Sequence, residues 1–195
     1  MFAVLGAGDA LGAALGGRVI GGSDELTHQD EGLVLVIGAD PPPRLGPLAA
    51  LDGPAWAAAA EDVIATAVVA LQDAYRALRG RGGRIVVVVP TISIAGADQL
   101  VALTTAVEGV RSLAKSAARQ WASEGVVVNL VAVPLPLIAP GLDASATRHL
   151  APPVVPDAAA LDASVVATVR FLLSADAPAV VGSTVTVDGG TVMAP

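Results

Sequence analysis

Short, almost unbroken runs of Val, Ile and Leu recur along the chain, separated by Ala-rich stretches in which apolar positions return every three or four residues. Successive side chains of a strand point to opposite faces of its sheet, so a run that is apolar at consecutive positions suits a strand buried on both faces. Such runs predict strands over Phe2–Leu5, Arg18–Ile20, 33–37, 84–89, 126–131 and 184–187. A helix is predicted over 54–79, where Pro54 suits the first turn, Asp52 can cap it, and Gly80, Gly82 and Gly83 stop it. Its inward stripe reads Ile64, Ala67, Leu71, Tyr75 and Leu78. A second helix is predicted over 98–123, with Leu100, Leu103, Val107, Val110, Ala114, Ala117 and Trp121 on one face and Glu108, Arg111, Lys115 and Arg119 on another. Strands alternating with helices predict one α/β domain over residues 1–195, a parallel sheet covered on both faces. The proline-rich pieces at 41–43 and 151–156 read as loops within it, and no repeat or linker divides the chain.

Composition changes the picture in three ways. With 54% hydrophobic and 15% charged residues, and a mean hydropathy of +0.69, the chain is far too apolar for disorder. The longest apolar run, 85–94, is broken by Pro90 and is half of the roughly 20 residues a spanning helix needs, so no membrane span is expected. Residues 1–15 have no basic leader and carry Asp9, and read as a buried strand and helix rather than a signal peptide. The net charge of -7 and pI near 4.6 argue against nucleic acid and anionic membranes as partners. Without cysteine there is no disulfide, thiolate metal site or cysteine nucleophile, and a cytoplasmic location is expected. So few charges also suggest a surface partly covered by other subunits.

Candidate chemistry is sparse. Gly6, Gly8 and Gly12 form a glycine-rich turn between the first strand and a helix, where backbone can approach a pyrophosphate at the helix N-terminus. The plainer reading is a tight turn with Asp9 as N-cap. His28 and His149 fall in loops without a ligand-spacing partner, so no metal site is expected, and no Gly-x-Ser-x-Gly elbow is present. Tyr75 and Arg79 have helical spacing but read as an inward tyrosine and a terminal arginine; Glu61 and Asp62 read as surface charges.

Further along, the segments GRIVVVV (83–89), AVEG (106–109), 112–114, WASEGVVVNLV (121–131) and FLLSADAPAVVGSTVTVDGG (171–190) follow one another in an order and spacing that resemble the short-chain dehydrogenase/reductase family, in its oxoacyl-carrier-protein reductase branch. The resemblance implies a Rossmann-like, doubly wound parallel sheet, here trimmed, with a shortened adenine-pocket region at about 21–32. The first turn is similar to that family's Thr-Gly-x-x-x-Gly-x-Gly, with Leu5 in place of Thr and Ala10 in place of the middle Gly. The family transfers hydride between NAD(P)H and a carbonyl using a Tyr, a Lys four residues on, a Ser and an Asn; four residues along a helix put the cation beside the phenol, whose pKa it lowers. In this register the Tyr position holds Leu100, the Lys position Thr104, the Asn position Ile64, and the Ser position falls near Pro90, with Thr91 and Ser93 the nearby hydroxyls. Tyr75 and Lys115 are the chain's sole Tyr and Lys, and no change of register brings them together.

No catalytic residues are therefore expected, and Gly6, Gly8 and Gly12 are read as vestigial cofactor-binding positions. The family's Asn-Asn-Ala-Gly turn becomes Ile37, Gly38, Ala39 and Asp40, its Pro-Gly becomes Val133 and Pro134, and Asp9 would repel a 2'-phosphate. No cofactor is expected, with NAD(P) as the alternative. The resemblance implies a non-catalytic subunit that assembles with itself or with an intact homologue through helices 54–79 and 98–123 and the C-terminal segment 188–195. The alternative is a divergent NAD(P)-dependent oxidoreductase, ketoacyl reductase-like, acting on a carbonyl. A third reading is a module that keeps the cleft at the strand carboxyl ends for a small acyl or ring ligand.

Overall fold

The computed structural model describes residues 1–39, 42–143 and 147–193. Strands β1 (Phe2–Leu5), β2 (Arg18–Ile20), β3 (Gly32–Val36), β4 (Gly83–Pro90), β5 (Val126–Val133) and β6 (Thr184–Thr186) form one sheet in the order β2-β1-β3-β4-β5-β6, all pairs parallel. Each lies where the apolar runs place it, with ends moved by one or two residues. Helices α1 (Asp9–Leu15), α2 (Gly53–Trp56), α3 (Asp62–Leu78), α4 (Ile92–Ala95), α5 (Val101–Trp121), α6 (Leu135–Ile138) and α7 (Ala158–Leu173) complete the chain.

A π turn at Ala57–Glu61 joins α2 to α3, making one helix, Gly53–Leu78, of 26 residues. Asp52 caps it as expected, its Oδ1 accepting the Ala55 N–H at 2.8 Å. With a mean hydropathy of 1.4 in its most apolar stretch, this helix is by length and composition long enough to cross a membrane. The run-based reading of the sequence misses it because Glu61, Asp62 and Asp73 interrupt the apolar residues. Here it lies on the sheet, burying Ala67, Ala70, Leu71, Ala74 and Leu78. The second predicted helix starts later than expected, at Val101, because Leu100 closes a turn onto the Ala97 carbonyl.

The period-two alternation of the strands divides the core. Leu33, Leu35, Ile85, Val87, Val128 and Leu130 face α3 and α5; Val4, Val34, Val36, Val86, Val88 and Val131 face α1 and α7. Fully burying each such side chain contributes about 1.5–3 kcal/mol. The α7 helix was not among the predicted elements. It buries only Val165, Val169 and Leu172, too narrow a stripe to announce itself, and its clearest mark is Asp157, whose Oδ1 accepts the Ala159 and Ala160 N–H groups.

The shortened region between β2 and β3 is compact. Its 3-10 turn, Ser23–Glu25, is tied to α3 by the Ser23 hydroxyl donating to Asp73 at 2.6 Å, and Leu26 packs onto the α3 side of the core. Asp30, 3% exposed, accepts from Arg18 Nη2 at 2.6 Å and from the Thr27 backbone and hydroxyl at 2.9 and 3.0 Å. This knot leaves β2 as a three-residue edge strand, short enough to discourage pairing with another chain.

Candidate functional site

Parallel α/β sheets bind ligands outside their strand carboxyl ends, where the strand order reverses. Here that point lies between β1 and β3, because the chain leaves β1 for β2 on one side and returns to β3 on the other. Gly6 has φ +76, and a Cβ there would stand 2.5 Å from the Val36 carbonyl oxygen, so the ends of β1 and β3 close tightly together. Gly12 packs near the Val19 side chain, which a Cβ would meet at 3.3 Å. At Gly8 a Cβ would meet nothing within 4 Å, and of the three glycines it alone faces open space. Gly8, not Asp9, is the N-cap of α1; the helix already includes Asp9.

The turn is open at Gly8, and the stretch that follows β2 is closed on itself. After β2, the Gly21 and Gly22 N–H groups donate to Glu25 Oε1 at 2.9 and 3.2 Å, so a carboxylate of the chain itself already holds those donors. The Ser23–Asp30 knot fills the stretch between β2 and β3. Asp40, the last residue of the altered turn after β3, and Pro41 of the predicted 41–43 loop lie outside the described residues.

The positions of the catalytic set can now be placed. Leu100 is 2% exposed and belongs to the core under α5. The Thr104 hydroxyl donates to the Val101 carbonyl at 3.1 Å, and Ile64 packs beside Gly109. Thr91 donates to the Val133 carbonyl and Ser93 to the Pro90 carbonyl, at 3.3 and 3.1 Å, so both buried hydroxyl protons are turned back onto the protein. The three hydroxyls at these positions thus all donate to backbone carbonyls.

Tyr75 lies at the far end of α3. Its hydroxyl donates to Glu124 Oε2 at 2.7 Å and its ring stacks on Trp121, 4.7 Å between centroids. The hydrogen bond to Glu124 pushes the phenol above its ordinary pKa, the wrong direction for a proton donor at neutral pH. Lys115 is exposed on α5. His149 Nε2 lies 2.8 Å from the Gly96 carbonyl oxygen and His28 is exposed in the knot; among the described residues no three His, Asp or Glu side chains are grouped to hold a metal.

A cleft was expected at the strand carboxyl ends, but not its walls. A cavity of about 740 Å³ opens beside Gly38, between the 42–52 loop and the start of α5, with Leu100 in its wall. Only the proline-rich composition of that loop hinted at a rigid cover.

Residues 23–192 match a family model described as enoyl-(acyl carrier protein) reductase. No curated protein sequence matches the chain. Among solved structures, sorbitol-6-phosphate 2-dehydrogenase from Erwinia amylovora superposes with a TM-score of 0.73 at 17% identity, over 99% of this chain and 100% of that one. A landomycin C-6 ketoreductase, solved with NADP and rabelomycin, gives 0.67 at 15% identity over 97% and 96%. A short-chain oxidoreductase from Pseudomonas aeruginosa PAO1, solved with NADPH and described as having an atypical catalytic centre, gives 0.64 at 21% identity over 85% and 67%. At these identities the structural matches establish the shared fold.

Proposed function

The chain belongs to the short-chain dehydrogenase/reductase family, and from that premise we propose that it is a non-catalytic member, supporting a catalytically intact homologue as a subunit. The observation that carries this reading is Leu100, buried at 2% exposure at the position that resembles the family's tyrosine, with Thr104 one turn on at the lysine position. Removing a positioned acid and an oxyanion donor forfeits about 10² to 10⁴ and 10² to 10³ in rate, which leaves little hydride transfer.

Assembly is supported by apolar surface that the fold leaves uncovered. The outward side of α3 exposes Ala65 and Val69, the latter at 51%, although this helix is apolar over most of its length. Near the C-terminus Val154, Val155 and Met193 are 69%, 53% and 77% exposed, joined where the Val155 N–H donates to the Gly189 carbonyl. Exposed apolar surface of this kind marks interaction sites. Ala194 and Pro195, the end of the predicted 188–195 contact segment, lie outside the described residues. Co-expression with intact family members should yield a stoichiometric complex that survives gel filtration, and Val69→Asp should dissociate it. A chain that ignores every such partner and assembles only with itself overturns the reading.

A second reading, a divergent NAD(P)-dependent oxidoreductase acting on a carbonyl, is favoured by the open backbone at Gly8 and by neighbours solved with NADP and NADPH, one of them with an atypical centre. When bound, a nicotinamide would supply or accept hydride; Gly6 and Gly8 would meet its pyrophosphate, and the chain offers no matching adenosine wall. Titration with NADH and NADPH, followed by nicotinamide fluorescence, separates the readings: saturable binding supports the second, and none at millimolar cofactor removes it.

A further inference from the structure

We propose that the cavity beneath the 42–52 loop is a binding site for a small amphipathic carboxylate. Its volume, about 740 Å³, falls within the roughly 300–1,000 Å³ typical of small-molecule sites. Leu45, Leu51, Val63, Leu100 and Leu103 line it with aliphatic residues, and the exposed Arg44 brings a cationic residue to its wall.

The polar groups of the wall differ in whether they are free. Asp52 is engaged by the Ala55 N–H at the start of α2, and the Gln99 carbonyl accepts the Gly46 N–H at 2.9 Å. Arg44 is exposed and, among the described residues, has no ion pair or hydrogen bond. A free planar guanidinium beside an aliphatic wall matches a ligand whose apolar body lies against the leucines and whose carboxylate meets the cation in a two-pronged contact. An alcohol would lose the ionic contact, and an amine would face the arginine with like charge.

The site is held open rather than left to collapse. Pro42, Pro43 and Pro47 fix φ at three positions of the covering loop, and the Gly46 to Gln99 hydrogen bond fastens that loop to the start of α5. Such preorganisation lowers the ordering cost of binding. Leu100 matters here in a second way: it makes the wall apolar where a tyrosine would set a hydroxyl. The inference therefore rests on the non-catalytic reading of this edge and deepens it, from a site that has lost a reaction to one that retains a ligand.

Trp56 packs against the same Ala60, Ala102 and Ala106 cluster as the cavity-lining Leu51 and Val63, so its fluorescence serves as a nearby reporter, while Trp121 stacks on Tyr75 at the other end of the sheet and is replaced by Phe for the measurement. The full chain is titrated with octanoate, octanol and octylamine. Octanoate is expected to bind at least about tenfold more tightly than either. Arg44→Ala is expected to remove that preference while leaving octanol unchanged, and Ala58→Phe, which fills the cavity from α2's continuation, to abolish binding of all three. If Ala58→Phe does not fold, as judged by circular dichroism, Ala55→Phe on the same wall replaces it. Equal affinity for octanol and octanoate, unchanged octanoate affinity in Arg44→Ala, or no binding by the folded chain at millimolar probe overturns the inference. Octanal with NADPH is assayed on the same samples. Consumption of NADPH defeats the non-catalytic reading and leaves octanoate binding intact, whereas failure of octanoate to bind without turnover defeats the ligand proposal alone.

Discussion

At the amino edge of the sheet, Asp30 before β3 gathers hydrogen bonds from Arg18 and Thr27, and Tyr75 donates to Glu124 before β5. At the carboxyl edge Leu100 is buried, and the hydroxyls of Thr91, Ser93 and Thr104 are bonded to carbonyl oxygens of their own surroundings. The polar side chains named at the amino edge bond to other side chains across loops, whereas those named at the carboxyl edge bond to backbone carbonyls. The difference teaches that the two edges are fastened differently, by side-chain bridges at one and by backbone contacts such as Gly6 against Val36 at the other.

The sharpest way to break this contrast is to disturb the carboxyl edge where it is structural. Gly6→Ala forces a side chain into a left-handed backbone against the Val36 carbonyl and should cost about 2–4 kcal/mol in denaturant unfolding. At the amino edge, Asp30→Ala leaves Arg18 and the Thr27 donors without their acceptor, and should cost about 1–3 kcal/mol by the same measurement. Burial alone would raise the Asp30 pKa, but the hydrogen bonds from Arg18 and Thr27 outweigh it and hold the carboxyl below its ordinary value of 3.8. Its folded-state contribution is therefore present above that value and is lost as the pH falls through the depressed one. The stability gap between wild type and Asp30→Ala should close in acid unfolding series below about pH 4.

Restoring the family pair tests the vacated positions directly. Leu100→Tyr with Thr104→Lys should overpack the cavity floor and cost about 1–3 kcal/mol, without producing NADPH oxidation, because no serine or asparagine partner accompanies the pair. Measurable turnover would show that the edge lacks only two groups. Gly8→Ala should change stability by less than about 1 kcal/mol, since its Cβ enters open space, in contrast with Gly6→Ala. The smallest effect is expected from Tyr75→Phe, which keeps the stack on Trp121 and loses only the hydroxyl. Because Glu124 raises the phenol's pKa, the wild type's advantage should be fully present below the ordinary value of 10.0 and fade as the pH rises through the higher folded one.

Much of the fold was legible because burial writes itself into composition. A strand covered on both faces must be apolar at every position, and the six strands stand out as such, while the stripe from Leu100 to Ala117 announces α5. The α7 helix was not legible, because only three of its residues reach the core and the rest of its Ala- and Val-rich surface carries no period. That Tyr75 and Lys115 are the sole Tyr and Lys was legible from residue identity, and the structure sets them apart, Tyr75 on α3 bonded to Glu124 and Lys115 exposed on α5. The roles of the three glycines were not, because what a glycine avoids depends on a neighbour distant in sequence: Val36 for Gly6, Val19 for Gly12 and open space for Gly8.

By itself, then, the sequence determined the layered parallel sheet and the two long helices of one face, which depend on local periodicity. Tertiary structure alone decided that the shortened 21–31 segment closes into a knot around Asp30, that Gly8 and not Asp9 begins α1, and that a rigid proline loop stands off from Leu100 to leave a cavity with an unpaired Arg44. Those outcomes turn on which distant groups meet, and the spacing of residues along a chain does not carry that information.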